Sequence, residues 1–215
     1  MKLTVLSAAA AAVIFVSCGP SAAEQAAARE KAVADSIAAA ASKEMTYTID
    51  PAASKVKWEG NMTGVKAYSH FGELTLTEGV LMTKGGQLTG GNFTADMKSI
   101  DPKDDGYSAE HPREGLIGHL SSPAFFAVDS FPTATVKITA VEGNTATADL
   151  TVRGKTSTEK VTEIMVTPNA DGTVTATGKL IFDRQKYGAT WANPAKDMFL
   201  ADDIVLSVVL TGKAQ

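Results

Sequence analysis

Three histidines, His70, His111 and His119, are the side chains best suited to metal or acid–base chemistry in this sequence. Zinc takes three or four ligands at close spacing. His111 and His119 stand eight positions apart across a proline and two glycines, and the only cysteine is the distant Cys18. That ligand count argues against a metal site. His119 reads as a helix-face residue and His70 as part of a strand rim. Asp104 and Asp105 fall in "DPKDDG", which lacks the alternating Asp order of a calcium loop and reads as a solvated turn. No nucleophile elbow, phosphate-binding loop or dinucleotide fingerprint occurs. The expectation is therefore a protein that is not an enzyme and carries neither metal nor cofactor.

Such residues need a scaffold, and composition bounds it. With 44% hydrophobic and 20% charged residues, the chain has a globular balance rather than a disordered one. A net charge of −4 without a basic patch gives no footprint for nucleic acid.

The N-terminus reads as a targeting segment. Lys2 precedes an apolar run from Leu3 to Val16, followed by Ser17 and Cys18. The run is shorter than the ~20 residues a membrane span needs and fits a secretory h-region. "FVSC" resembles the lipobox of bacterial lipoproteins, with Phe15 where Leu is more usual. That resemblance implies acylation of Cys18, and a lone thiol in an exported chain fits it. Several acyl chains at ~0.8 kcal/mol per buried CH₂ give stable anchoring. Gly19 in place of an aspartate points by the same resemblance to the outer membrane, periplasm-facing or at the surface. Residues 21–45 are rich in Ala, Glu and Lys without Gly or Pro, which favours helix. Their only large aliphatic residues are Val33 and Ile37, a thin stripe. The segment reads as a helical spacer. A weak docking helix or a homodimer contact stays open.

From Thr46 the texture becomes that of an all-β domain. "ATADLTVRG" alternates Ala146, Ala148, Leu150 and Val152 against Thr147, Asp149, Thr151 and Arg153. Similar runs put Val56 with Trp58, Phe93 with Ala95 and Met97, and Ile204 with Leu206, Val208 and Leu210. Turn signals fall at Glu78-Gly79, at Glu142-Gly143-Asn144, at Arg153-Gly154 and at Asn169–Gly172. Leu116, Ile117 and Leu120 have helical spacing between Pro112 and Ser122-Pro123, so a short helix interrupts the strands. About eight antiparallel strands with one helical insert predict a closed, extended, lipocalin-like barrel. Eight strands leave room for side chains or one small ligand. The small residues Ala146, Ala148, Ala176 and Gly178 on dry faces favour a hollow lumen, with a barrel filled by its own side chains as the alternative.

"YTIDPAASKVKWEG", "SPAFFAVDSFPTATVKIT", "ADLTVRGKT" and "FDRQKYG" occur in that order. Together they resemble the YceI-like family of bacterial exported proteins over roughly residues 45–213. The resemblance implies a lipocalin-like barrel holding a long apolar lipid, a polyisoprenoid or quinone, for transport, storage or sequestration. The expected wall is Trp58, Phe93, Met97, Val136, Ile138, Leu150, Val152, Leu180, Phe182, Leu206 and Val208. Arg184 and Tyr187 match the family's late motif. Arg184 could meet a polar head at the barrel mouth, or form a structural pair with Asp183 or Asp203. The reading divides the chain into a lipoprotein signal peptide (1–17), an anchor and spacer (18–45) and a barrel (46–215). A structural or interaction lipoprotein without ligand is the alternative function.

Overall fold

A computed structural model describes residues 21–215. The expected signal peptide and Cys18 lie outside the described residues. The chain divides at Ala40/Ala41 into two units.

Helix α1 runs Ala22–Ser42. Ser21 and Glu24 form a reciprocal cap: the Ser21 backbone N–H donates to Glu24 Oε2 at 2.6 Å, and the Glu24 N–H donates to Ser21 Oγ at 3.3 Å. Lys31 and Asp35 pair one turn apart at 2.7 Å. Val33 and Ile37 are 58% and 65% exposed, as their thin stripe foretold.

The second unit is a sheet of β1 (Glu44–Ile49), β2 (Lys55–Gly64), β3 (Tyr68–Lys84), β4 (Gln87–Pro102), β5 (Thr133–Glu142), β6 (Thr145–Val152), β7 (Lys155–Pro168), β8 (Thr173–Asp183) and β9 (Met198–Ala214). All pairings are antiparallel. The order β3-β2-β9-β8-β7-β6-β5-β4 returns to β3, so a ring of 8 strands closes. Strand β1 continues the slot of β2. It pairs with Val80–Lys84 of β3 and with the end of β9, while β2 pairs with their other halves. A turn at Pro51–Ala53, capped by Asp50, separates the two. The 17-residue strands β3 and β9 make the barrel long, roughly 55 Å along each strand.

The alternation in β6 resolves as expected: Ala146, Ala148, Leu150 and Val152 are buried. One expected hairpin does not exist. Glu78-Gly79 is interior to β3, and the chain reverses at Gly85-Gly86 instead. Gly79 serves packing rather than a turn. A Cβ there would lie 2.9 Å from Phe93 and 3.1 Å from Ile49, inside contact distance.

The two ends differ. At the end holding β1, Tyr47, Ile49, Leu76, Leu81, Leu88, Val174 and Leu210 pack into one cluster. At the other end stands α2 (Arg113–Ser121), starting after Pro112 and ending at Ser122. There Leu120, Phe125 and Val128 pack on Met97 and Ile100 of β4. A third cluster joins Leu150, Val152, Leu180, Phe182, Tyr187 and Ile204. All three clusters draw only on residues from Met45 onward, and the ring is closed. Among the described residues the second unit therefore contains its own core and a closed ring, which is what an independently folding domain requires.

Candidate functional site: an apolar cavity under a helical lid

Between the packed end and α2 lies a cavity of about 270 Å³. Each residue of the expected apolar wall faces it: Trp58 of β2, Phe93 and Met97 of β4, Val136 and Ile138 of β5, Leu150 and Val152 of β6, Leu180 and Phe182 of β8, and Leu206 and Val208 of β9. Strand alternation brings them together, because every second residue of a closed ring points to its axis. Of the four small residues expected to leave the lumen hollow, Gly178 borders the cavity, whereas Ala146, Ala148 and Ala176 are buried away from it, Ala176 in the packed cluster. Left empty, such a space would cost roughly 6 kcal/mol at ~24 cal/mol per Å³. It is nearly twice the ~150 Å³ engineered apolar cavity that stays dry and takes up benzene.

The lid contributes residues the expected wall omitted: Leu116, His119 and Leu120 of α2, then Phe125, Phe126 and Trp191. Leu116 and Leu120 had a signal, one helical turn apart. Trp191 lies in an irregular stretch and had none. The His119 ring stands edge-on to Trp191 at 4.6 Å and to Phe125 at 5.5 Å. Burial pushes its pKa down, which keeps the imidazole neutral at neutral pH.

Arg184 and Tyr187 are not on this wall, which corrects the expected head-group role of Arg184. The Arg184 side chain is 2% exposed. Its guanidinium donates to the carbonyls of Ala189, Ala201 (3.1 Å), Trp191 (2.9 Å) and Leu200 (3.4 Å). Its ion pair is with Asp202 at 3.0 Å, not with Asp183 or Asp203. Desolvation pulls its pKa down, opposed by the charges of Asp202 and Asp183. A planar fork with five donors can hold several backbone carbonyls at once, and here it fixes the stretch carrying Trp191. Tyr187 is fully buried behind the wall. Its hydroxyl donates to Glu159 Oε1 at 2.9 Å, and its ring meets Phe182 edge-on. Burial, then that carboxylate, push its pKa up.

Arg153 is a turn residue, as its spacing suggested, with φ 51°. It also holds the lid. Its guanidinium donates to the carbonyls of Phe125, Gly188 and Pro123. Two arginines from neighbouring turns thus fasten both halves of the lid by their backbone.

Asp104 is the second correction. Expected as a solvated loop residue, its side chain is 8% exposed. It accepts from His70 Nδ1 at 2.8 Å, the Tyr107 hydroxyl at 2.8 Å and the Phe71 N–H at 3.3 Å. Burial raises its pKa, but the hydrogen bonds from His70, Tyr107 and Phe71, with the His70 charge, outweigh it and hold the carboxyl below its ordinary value. His70 itself lies on the cavity wall, and its ring stacks on Tyr107. His111 is exposed. Among the described residues no three His, Cys, Asp or Glu side chains converge on a metal-sized point.

The YceI-like domain family model matches residues 47–212. The chain belongs to that family. The YceI-like barrel also resembles solved structures at low identity. BcnA of Burkholderia cenocepacia is 21% identical, with a TM-score of 0.56, over 76% of this chain and 98% of that one. A polyisoprenoid binding domain from Saccharophagus degradans, implicated in plant cell wall breakdown, is 12% identical, with a TM-score of 0.50, over 80% and 99%. At these identities the likeness establishes the fold. No curated protein matches the chain.

Proposed function

We propose that this YceI-like protein binds a long apolar lipid, of polyisoprenoid or quinone type, in the lumen of its barrel. The carrying observation is the cavity: a closed ring presents a nearly all-carbon interior and leaves it unfilled by side chains. Removing apolar chain surface from water there stabilises a complex by ~25 cal/mol per Å². The Saccharophagus degradans domain of the same fold is a polyisoprenoid binder, which supports the lipid class. The wall supports binding rather than chemistry: of its two histidines, one is engaged by Asp104 and the other is packed between aromatic rings. The self-filled alternative is disfavoured by the same open volume.

The role is a carrier or store for that lipid at a membrane. The lipobox-like "FVSC" supports an exported lipoprotein held by acylated Cys18 and facing the periplasm or the surface of the outer membrane. Two measurements test these readings. Organic extraction of the purified protein followed by mass spectrometry is expected to yield a near-stoichiometric isoprenoid lipid. Protein that yields none and takes up none refutes the lumen reading. Cys18→Ser is expected to release the protein from membranes, and retention of the variant refutes the anchor.

A further inference from the structure

The cavity lining includes a residue that is open to solvent at the tip of the β2–β3 hairpin. Tyr68, at the start of β3, lines it and is 40% exposed. Around Tyr68 the β2–β3 hairpin and the stretch before β9 form a single projecting lip. Their strands pair as Thr63 with Phe199 and Gly64 with Met198. The Val65 N–H donates to the Asp197 carbonyl at 3.2 Å, and the Thr63 hydroxyl donates to the Phe199 carbonyl at 3.3 Å. Gly64 permits this closeness: its φ is 123°, and a Cβ would stand 2.0 Å from the Asp197 oxygen.

What the lip presents is unusual for a water-facing tip. Val65 is 79% exposed and Phe199 60% exposed, beside half-exposed Tyr68. Lys66 and Lys196 flank them, also exposed, against the single carboxylate of Asp197. The lip segments thus carry one net positive charge on a chain whose net charge is −4, with the Asp104 carboxylate set back behind His70. At the opposite end the lysine beside Gly85-Gly86 is neutralised, Lys84 pairing with Glu44 at 3.0 Å, and the other turns read Gly143-Asn144 and Asn169–Gly172. Apolar side chains ringed by lysines match the layering of a bilayer surface, apolar beneath anionic headgroups.

We propose that this lip docks on an anionic lipid bilayer and opens the cavity directly onto it. The inference rests on the lumen reading for its purpose, since a lipid guest would then pass from bilayer to barrel without crossing water. Its occupant follows from adjacency at the rim: Val65 and Phe199 lie outside the lumen, while Tyr68 and Leu200, on the same two segments, line the apolar cavity. Docking is peripheral, with side chains of Val65 and Phe199 entering the interface while the barrel stays outside.

The test uses the barrel unit, residues 41–215, which among the described residues holds all three core clusters and the closed ring. Guest-free barrel is floated with phosphatidylcholine vesicles with or without phosphatidylglycerol. Flotation is expected with phosphatidylglycerol, to weaken sharply without it, and to fall roughly tenfold in Val65→Ser/Phe199→Ser. Lys66→Glu/Lys196→Glu is expected to remove the dependence on phosphatidylglycerol. Met165→Ser, an exposed apolar residue away from the lip, is expected to change nothing. A barrel that stays unbound to these vesicles, or one whose lip variants float like wild type, overturns the proposal. Uptake of pyrene-tagged solanesol by the same samples separates the two readings. Uptake without flotation sinks docking alone, and flotation without uptake sinks the lumen reading while docking stands.

Discussion

The two ends of the barrel are built from the same strands and do opposite things. At one end β1 continues the β2 slot, and Tyr47, Ile49, Leu81, Leu88, Val174 and Leu210 fill the ring. At the other end the ring is left hollow, and α2 with Phe125, Phe126 and Trp191 closes it from outside. The packed end is held by side-chain volume. The hollow end is held by the rim packing of Leu120, Phe125 and Val128 on Met97 and Ile100 together with hydrogen bonds from Arg153 and Arg184 to backbone carbonyls, a polar clamp the packed end does not use. Separating stability from occupancy in this way lets a barrel keep a cavity that would otherwise weaken it.

The sharpest way to break this comparison is to remove the polar clamp. Arg184→Met leaves four carbonyls without their buried donor. It is expected to destabilise the protein by about 4 kcal/mol in chemical denaturation. Arg184→Lys should recover only a small part, because a single ammonium cannot replace the fork. Full stability in Arg184→Met would mean that the lid is held by packing alone, like the other end.

Leu81→Ala at the packed end is expected to cost about 3 kcal/mol while leaving uptake of a lipid probe within a factor of two. A large loss of uptake there would show that the ends are coupled. Val136→Trp fills the hollow half. It is expected to reduce probe uptake at least tenfold, with ~1–3 kcal/mol of strain or less if the cavity absorbs the ring. Undiminished uptake would place the guest elsewhere.

The smallest expected effect is at the Asp104 knot. Its carboxyl lies below its ordinary value in the folded protein, so it adds stability at neutral pH. That contribution is lost as pH falls below the ordinary carboxylate value of ~4 and through the folded value. Asp104→Asn is expected to cost about 1 kcal/mol at neutral pH and to flatten the acid limb of the stability curve. Hydrogen exchange at the Phe71 amide should accelerate in the variant. An unchanged acid limb would remove Asp104 from the account.

Much of this arrangement was legible in the residues because period-two alternation needs no long-range information. Ala146 to Val152, Phe93 with Met97, and Leu206 with Val208 each declare a dry face, and a closed ring turns every dry face toward one axis. The helix over Arg113–Ser121 was equally legible from Pro112, the leucine spacing and Ser122-Pro123. Gly79 misled for a physical reason: glycine signals a turn and a close approach alike, and only the position of Phe93 on the next strand distinguishes them.

The sequence by itself determined the barrel, its apolar inner faces and the helical interruption, because those follow from local pattern and turn chemistry. Only the tertiary structure decided which end is filled, that Arg153 and Arg184 clamp the lid rather than meet a guest, and that Asp104 is a buried knot. Those outcomes depend on which carbonyls and side chains arrive from distant strands, and no spacing along the chain encodes that meeting.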